Sequence, residues 1–185
     1  MNRPDNLPHR RSIRLQGYDY SQAGAYFITI CAQGKECLFG AIENGVMVLN
    51  ESGRVVRDEW LKTAEARVEI RTGEFVVMPN HFHGIVIISE LIAGADVGAI
   101  HESLASNQSP RQQRRQMALS KVVGRFKMLT AKRINEIRKL PGVSVWQRNY
   151  YEHVIRNEAD YGQIAEYMVD NPCRWEEDTL HPNAT

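Results

Sequence analysis

The chain has 185 residues, with 23 lysines and arginines against 22 acids and a formal net charge of +1. That length suits one domain with a sizeable core, and no apolar run approaches the roughly 20 residues that a membrane-spanning helix needs. Cys31, Cys37 and Cys173 are odd in number and contain no Cys-x-x-Cys pair, which speaks against a disulfide framework and a zinc knuckle and fits a reducing cytoplasm.

In chain order, residues 1–20 read as an N-terminal arm: proline, asparagine and arginine without period. Charged and lacking an apolar core, this stretch is not expected to act as a secretory signal. "AYFITICAQ" (25–33) predicts a first strand. "LFGAIENGVMVLN" (38–50) carries Asn44-Gly45 between apolar stretches, a hairpin signal. "NESGRVVRDEWLKTAEA" predicts a helix with Val55, Val56, Trp60 and Leu61 on one side. "VEIRTGEFVVMPN" and "HFHGIVIIS" predict a strand pair turning at Pro79-Asn80. Residues 90–116, rich in Ser, Gln and Ala, predict a long inserted loop. A helix follows over about 118–139, "SVWQRNYYEHVI" predicts a fourth core strand, and "NEADYGQIAEYMVDN" a final helix stopped by Pro172. This order implies an α+β fold: a ferredoxin-like split βαβ core, with an antiparallel sheet and helices mainly on one face. A single domain over 21–178 is expected, followed by a tail over 179–185.

Charge is unevenly spread. Arg111 to Lys139 holds ten basic residues against the single acid Glu136, whereas Tyr151 to Asp178 holds eight acids against two arginines. A basic segment inside a balanced chain points to a local polyanion contact. Arg114, Arg115, Lys121, Arg125, Lys127 and Lys132 are its candidate phosphate-binding residues.

The stretch "PNHFHGIVII" (79–88) opens an apolar strand with two histidines. Strand side chains alternate, so His81, His83, Ile85 and Ile87 share one face. Imidazoles at i and i+2 can converge on one metal ion; a pair of polar residues at a strand edge is the alternative. In the final helix, Asp160, Gln163, Tyr167 and Asn171 form one stripe, and Tyr161, Ile164, Ala165 and Met168 a core-facing one. Tyr167 and Asn171 lie one turn apart, so a phenol sits beside an amide able to ligate metal, an arrangement suited to nucleophilic attack on phosphorus. Against this stand a cap role for Asn171 before Pro172 and a packing role for Tyr167.

"GYDYSQAGAYFITICAQGKECLFG", "MPNHFHGIVII", "GRFKMLTAKRIN" and "VWQRNYYEHVIRNEADYGQIAEYMVDNP" together resemble the REP-associated tyrosine transposases, of the single-tyrosine HUH superfamily, over about residues 11–175. The resemblance implies an HUH endonuclease fold, with His81 and His83 as the metal-binding pair around Phe82, Tyr167 as nucleophile and Asn171 as an amide-type third ligand. Many relatives carry a glutamine at that last position. Gln163 would position groups near Tyr167; His153, on the fourth strand, either lines the site or packs as a strand histidine. Tyr150 and Tyr151 are alternative nucleophiles by chemistry, but cannot share a helical turn with Asn171.

The implied reaction is attack on a single-stranded DNA phosphodiester beside a palindromic hairpin, through a 5′-phosphotyrosine intermediate. Two imidazoles and an amide carry no negative charge, which implies Mg²⁺ or Mn²⁺ held jointly with the DNA phosphate and only weakly without it. The implied partners are single-stranded DNA and DNA hairpins, with no membrane; the chain would act as a monomer or homodimer in the bacterial cytoplasm, on the nucleoid. A catalytically inactive hairpin-binding protein on the same fold is the competing reading. A water-activating phosphodiesterase is a third, but it needs more carboxylates than the histidine motif supplies.

Overall fold

A computed structural model of the chain describes residues 23–89 and 118–184. The expected arm (1–20) and inserted loop (90–116), with Arg111, Arg114 and Arg115, lie outside the described residues.

Among the described residues, nine helices and strands carry the fold: β1 (Gly24–Cys31), β2 (Gly40–Glu43), β3 (Val46–Leu49), α1 (Glu51–Leu61), β4 (Ile70–Val77), β5 (His81–Ile88), α2 (Ala118–Arg138), β6 (Tyr151–Ile155) and α3 (Glu158–Asp170). A 3₁₀ segment, Asn171–Glu177, continues from α3. Four strands form one sheet in the order β4-β5-β1-β6, with every neighbour antiparallel. That is the split βαβ order: β1 and β4 run the same way with β5 between them, and α1 lies in the crossover. The small β2–β3 hairpin is a separate sheet. Its turn residues Asn44 (φ 52°) and Gly45 (φ 77°) are both left-handed, the conformation that lets a two-residue turn follow strand twist.

Alternation divides the sheet into two covered faces. Tyr26, Ile28 and Ile30 of β1 and Phe82, Val86 and Ile88 of β5 point into the larger core. There they meet Val55, Val56 and Trp60 of α1 and Leu119, Val122, Val123, Phe126 and Ile134 of α2. Asn50 caps α1, its side chain accepting from the Gly53 amide at 3.0 Å. Trp60 packs against Phe82 (centroids 4.7 Å) and Phe126 (5.4 Å) and lies directly over Gly84. A Cβ on Gly84 would meet the Trp60 ring at 2.7 Å and the Phe82 ring at 2.8 Å, so the glycine lets the indole reach the sheet.

The opposite face carries Phe27, Ile85 and Ile155, covered by Met168, Tyr161 and Ile164 of α3. Among the described residues, α1 and α2 thus lie on one face, as the pattern predicts, and α3 on the other. Asn157 caps α3, accepting from the Asp160 amide at 2.9 Å. Asp160 in turn receives His153 (Nε2 to Oδ2, 3.1 Å) and the Arg156 amide (3.1 Å). The backbone and His153 bonds hold the Asp160 carboxyl below the usual carboxylate range. These bonds tie the start of α3 to β6.

The fourth strand is shorter than its sequence predicts. Before Tyr151 the chain makes only a single bridge, Ala32 to Trp146. Trp146 turns inward, its indole donating to Thr130 Oγ1 at 2.8 Å, and Lys127 Nζ holds the Gln147 (2.6 Å) and Arg148 (3.1 Å) carbonyls. Side-chain demands in the core override strand pairing here. Among the described residues no helix is long and apolar enough to cross a membrane.

Candidate active site

The two histidines open β5 directly across from β1, where Thr29 pairs with His83 and Cys31 with His81. Both imidazoles therefore point to the α3 face, with ring centroids 4.5 Å apart. They are not open to solvent: His81 is 0 % and His83 2 % exposed. Phe27 stacks on His83 at 5.2 Å, and Trp175, from the 3₁₀ segment, covers His81 at 6.0 Å.

Each Nδ1 is taken by a neighbouring side chain. Asn80, 1 % exposed, donates through Nδ2 to the carbonyls of Lys35 (3.2 Å) and Leu180 (2.7 Å). Its Oδ1 is therefore the end that faces His81 Nδ1, at 2.8 Å. An amide oxygen only accepts, so Nδ1 carries the proton and Nε2 presents a lone pair. His83 Nδ1 meets Thr29 Oγ1 at 2.8 Å, and its Nε2 meets the Tyr167 hydroxyl at 3.3 Å. Orienting partners of this kind set imidazole tautomers in metal sites. Burial lowers the His81 pKa to about 4, partly countered by Asp178; burial and then His81 hold His83 well below the ordinary range. Both rings are neutral at neutral pH, the form that ligates a metal.

The final helix brings Tyr167 and Asn171 to the same place. Tyr167 is about half exposed, with its ring 5.4 Å from that of His83. Asn171 is buried at the C-cap of α3, with an amide side bonded to Tyr167 and an Oδ1 that has no partner. Burial raises the Tyr167 pKa, and Asp178 raises it further; the Asn171 bond works the other way. Gln163 lines the cleft of about 600 Å³ in front of Tyr167, together with Glu166, Asp170, Asn171, Arg174 and Asp178.

Asp178 is the residue that sequence reasoning missed. Its side chain is 5 % exposed, and Oδ2 lies 3.7 Å from His81 Nε2. Ligand atoms of His81, His83 and Asp178 all fall within 4.8 Å of one another. His81 Nε2, Asn171 Oδ1 and Asp178 Oδ2 are buried polar atoms without hydrogen-bond partners, a state costly enough to be rare unless a bound group satisfies it. The donor set fits a divalent cation. In the sequence, Asp178 ends a Glu-Glu-Asp run that reads as a solvated face, beyond the last periodic residue of α3. Asn80 was equally hidden, because after proline it reads as a turn residue.

Other expected residues are distributed differently. His153 pairs with Asp160 at the far end of α3 and anchors that helix. Tyr150 packs on the larger core, with its hydroxyl 3.3 Å from Ser120 Oγ, whereas Tyr151 is exposed on β6. Neither tyrosine stands where Tyr167 does. Lys121, Arg125 and Lys132 are exposed on α2, across the sheet from the histidines. Lys121 and Arg125 line a second cleft of about 540 Å³ with Lys62 and Arg67 of the α1 side. Lys127 is engaged with the two carbonyls noted above, and burial lowers its pKa.

No family model matches the chain. A Haemophilus influenzae protein described as uncharacterised is 44 % identical over 178 residues, covering 95 % of this chain and 94 % of the relative. A second protein of that organism, provisionally named a REP-associated tyrosine transposase, is 24 % identical over 156 residues, covering 84 % of this chain and 74 % of its own. Among solved structures, a REP-associated tyrosine transposase bound to a REP hairpin superposes with a TM-score of 0.50 and 21 % identity, covering 88 % of this chain and 73 % of its own.

Proposed function

We propose that the chain is a REP-associated tyrosine transposase, like the relative and the solved structure of that name, and that it cleaves and rejoins single-stranded DNA beside palindromic hairpins, with Tyr167 as the nucleophile. The observation that carries this reading is the meeting of Tyr167 with the histidine pair: its hydroxyl is 3.3 Å from His83 Nε2, at the edge of a buried two-histidine cluster. Hairpin recognition is motivated by the related transposase solved with a REP hairpin.

In the reaction, the Tyr167 oxygen attacks the scissile phosphorus, the bond from phosphorus to the 3′ oxygen breaks, and a 5′-phosphotyrosine and a free 3′-hydroxyl result. The phenol gives up one proton and the departing 3′ oxygen takes one up. Attack of a second 3′-hydroxyl on the phosphotyrosine reverses the exchange and joins strands. A divalent ion, Mg²⁺ or Mn²⁺, held by His81, His83 and Asn171 would supply charge neutralisation at the phosphate. Asn171 also steadies the developing phenolate through its amide bond to Tyr167, against burial and Asp178, which disfavour it. Gln163 carries no basic group and is assigned a positioning role one turn before Tyr167. Lys121, Arg125 and Lys132 supply phosphate contacts for the hairpin, together with Arg114 and Arg115; Lys127 is assigned to holding the 147–148 segment. Such a protein works in the cytoplasm, on the nucleoid.

The test is adduct trapping. Hairpin oligonucleotides from the gene's own flanks, incubated with Mn²⁺, should give a covalent species that maps to the peptide containing "IAEYMVDNP" and is absent from Tyr167→Phe. Hairpin binding with no adduct under any divalent ion would favour the inactive hairpin-binding protein. An adduct on Tyr150 or Tyr151 would overturn the assignment of Tyr167.

A further inference from the structure

Two electron-rich atoms face each other in the buried site without a donor between them. Asn80 fixes the His81 tautomer, so Nε2 presents its lone pair; 3.7 Å away is Asp178 Oδ2. Neither atom has a hydrogen-bond partner. The carboxylate is not free to turn away. Its Oδ1 accepts from the Leu180 amide at 2.7 Å, and the Asp178 amide donates to the Trp175 carbonyl at 3.1 Å. Leu180 is itself tied to Asn80, so imidazole and carboxylate are held by one network. The gap is too long for a hydrogen bond, yet a cation with bonds of about 2.1 Å to each atom would span it. A buried carboxylate without a counter-charge is costly.

We propose that Asp178 is an anionic ligand of the site's divalent cation, and that the chain holds this ion before DNA arrives. The inference rests on the metal-site reading above and changes its charge. His81, His83 and Asn171 alone are neutral and need the DNA phosphate; with Asp178 the set carries one negative charge. Two imidazoles with one carboxylate suit Mn²⁺, Fe²⁺, Co²⁺ or Zn²⁺ better than Mg²⁺, which prefers oxygen ligands and retains its waters. The acid-lined cleft outside, with Glu166 and Asp170 beside Tyr167, gives that charge a second use: the resident ion offsets it where a phosphate must approach.

The experiment is a Mn²⁺ titration of the full chain without DNA, read by electron paramagnetic resonance and by calorimetry. Wild type should bind one ion, and Asp178→Asn should bind it at least about tenfold more weakly. The asparagine keeps the acceptor for the Leu180 amide, and circular dichroism and melting confirm the fold. Asp178→Glu, which restores the charge, should recover part of the affinity. His81→Ala serves as the reference for loss of the site. Unchanged affinity in Asp178→Asn with loss in His81→Ala would overturn the role of Asp178 and leave the histidine site standing. Unchanged affinity in both would overturn the metal site itself. Wild type that takes up Mn²⁺ only when DNA is present would overturn binding before DNA.

Discussion

Asn80 uses its whole amide, two donor contacts to backbone carbonyls and one acceptor contact to His81. Asn80→Ala should therefore weaken Mn²⁺ binding by about 10- to 100-fold, as loss of ligand-orienting partners does, with the far-ultraviolet spectrum unchanged. An affinity equal to wild type would show that His81 keeps its tautomer without help. The histidines also set a pH dependence. Their folded pKa values lie below the ordinary 6.5, so below that pH the unfolded chain binds more protons than the folded one. Stability is fully present above about pH 6.5 and is lost as the pH falls toward the folded values, about 4 for His81. Each imidazole contributes on the order of 1 kcal/mol per pH unit in that window. Urea unfolding in EDTA between pH 7.5 and 5 should show this slope, and His81→Asn should reduce it.

Within the elements, α2 separates two kinds of basic residue. Lys121 and Arg125 are exposed and line a cleft with Lys62 and Arg67. Replacing both with alanine should lower affinity about equally for cognate and scrambled hairpins and reduce the salt slope by roughly 0.7 to 0.9 per lost phosphate contact. An altered sequence preference with an unchanged slope would mean that they read bases. Lys127→Met should instead lower the melting temperature, because it releases the Gln147 and Arg148 carbonyls. In β5 the crossing of Trp60 over Gly84 leaves no room for a methyl group. Gly84→Ala should cost about 1–3 kcal/mol in denaturant unfolding, the usual range for overpacking a filled core. A smaller loss would mean that the indole can shift.

Across the whole molecule, the sheet stands between the candidate site and the basic helix: the histidines face α3, which carries Tyr167, and α2 packs on the other side. This division predicts that His81→Ala or His83→Ala abolishes adduct formation but leaves hairpin binding in gel shifts near wild type. Loss of binding in a folded variant would place the hairpin across the metal site. Tyr167→Phe keeps the ring that packs edge-on to Phe27 at 6.3 Å, so it should lose the adduct while keeping its melting temperature within about 2 °C, since a half-exposed hydroxyl contributes little to stability.

Period and alternation settled much of this before any contact was known. Alternation places His81 and His83 on one side of β5, and a 3.6-residue repeat sets Tyr167 one turn before Asn171, because both depend only on positions along a single element. The hairpin at Asn44-Gly45 and the four-strand α+β order were legible for the same reason: turn chemistry and burial pattern are local. Tertiary structure decided which groups meet. That α3 covers the face opposite α1 and α2, that Trp146 leaves the fourth strand for the core, and that Trp175 closes over His81 all depend on how the chain returns on itself. Asp178 lies 97 positions beyond His81, past the end of any helical repeat. Nothing local distinguishes it from its acidic neighbours; only the turn that bonds it to Leu180, and Leu180 to Asn80, aims its carboxylate at an imidazole.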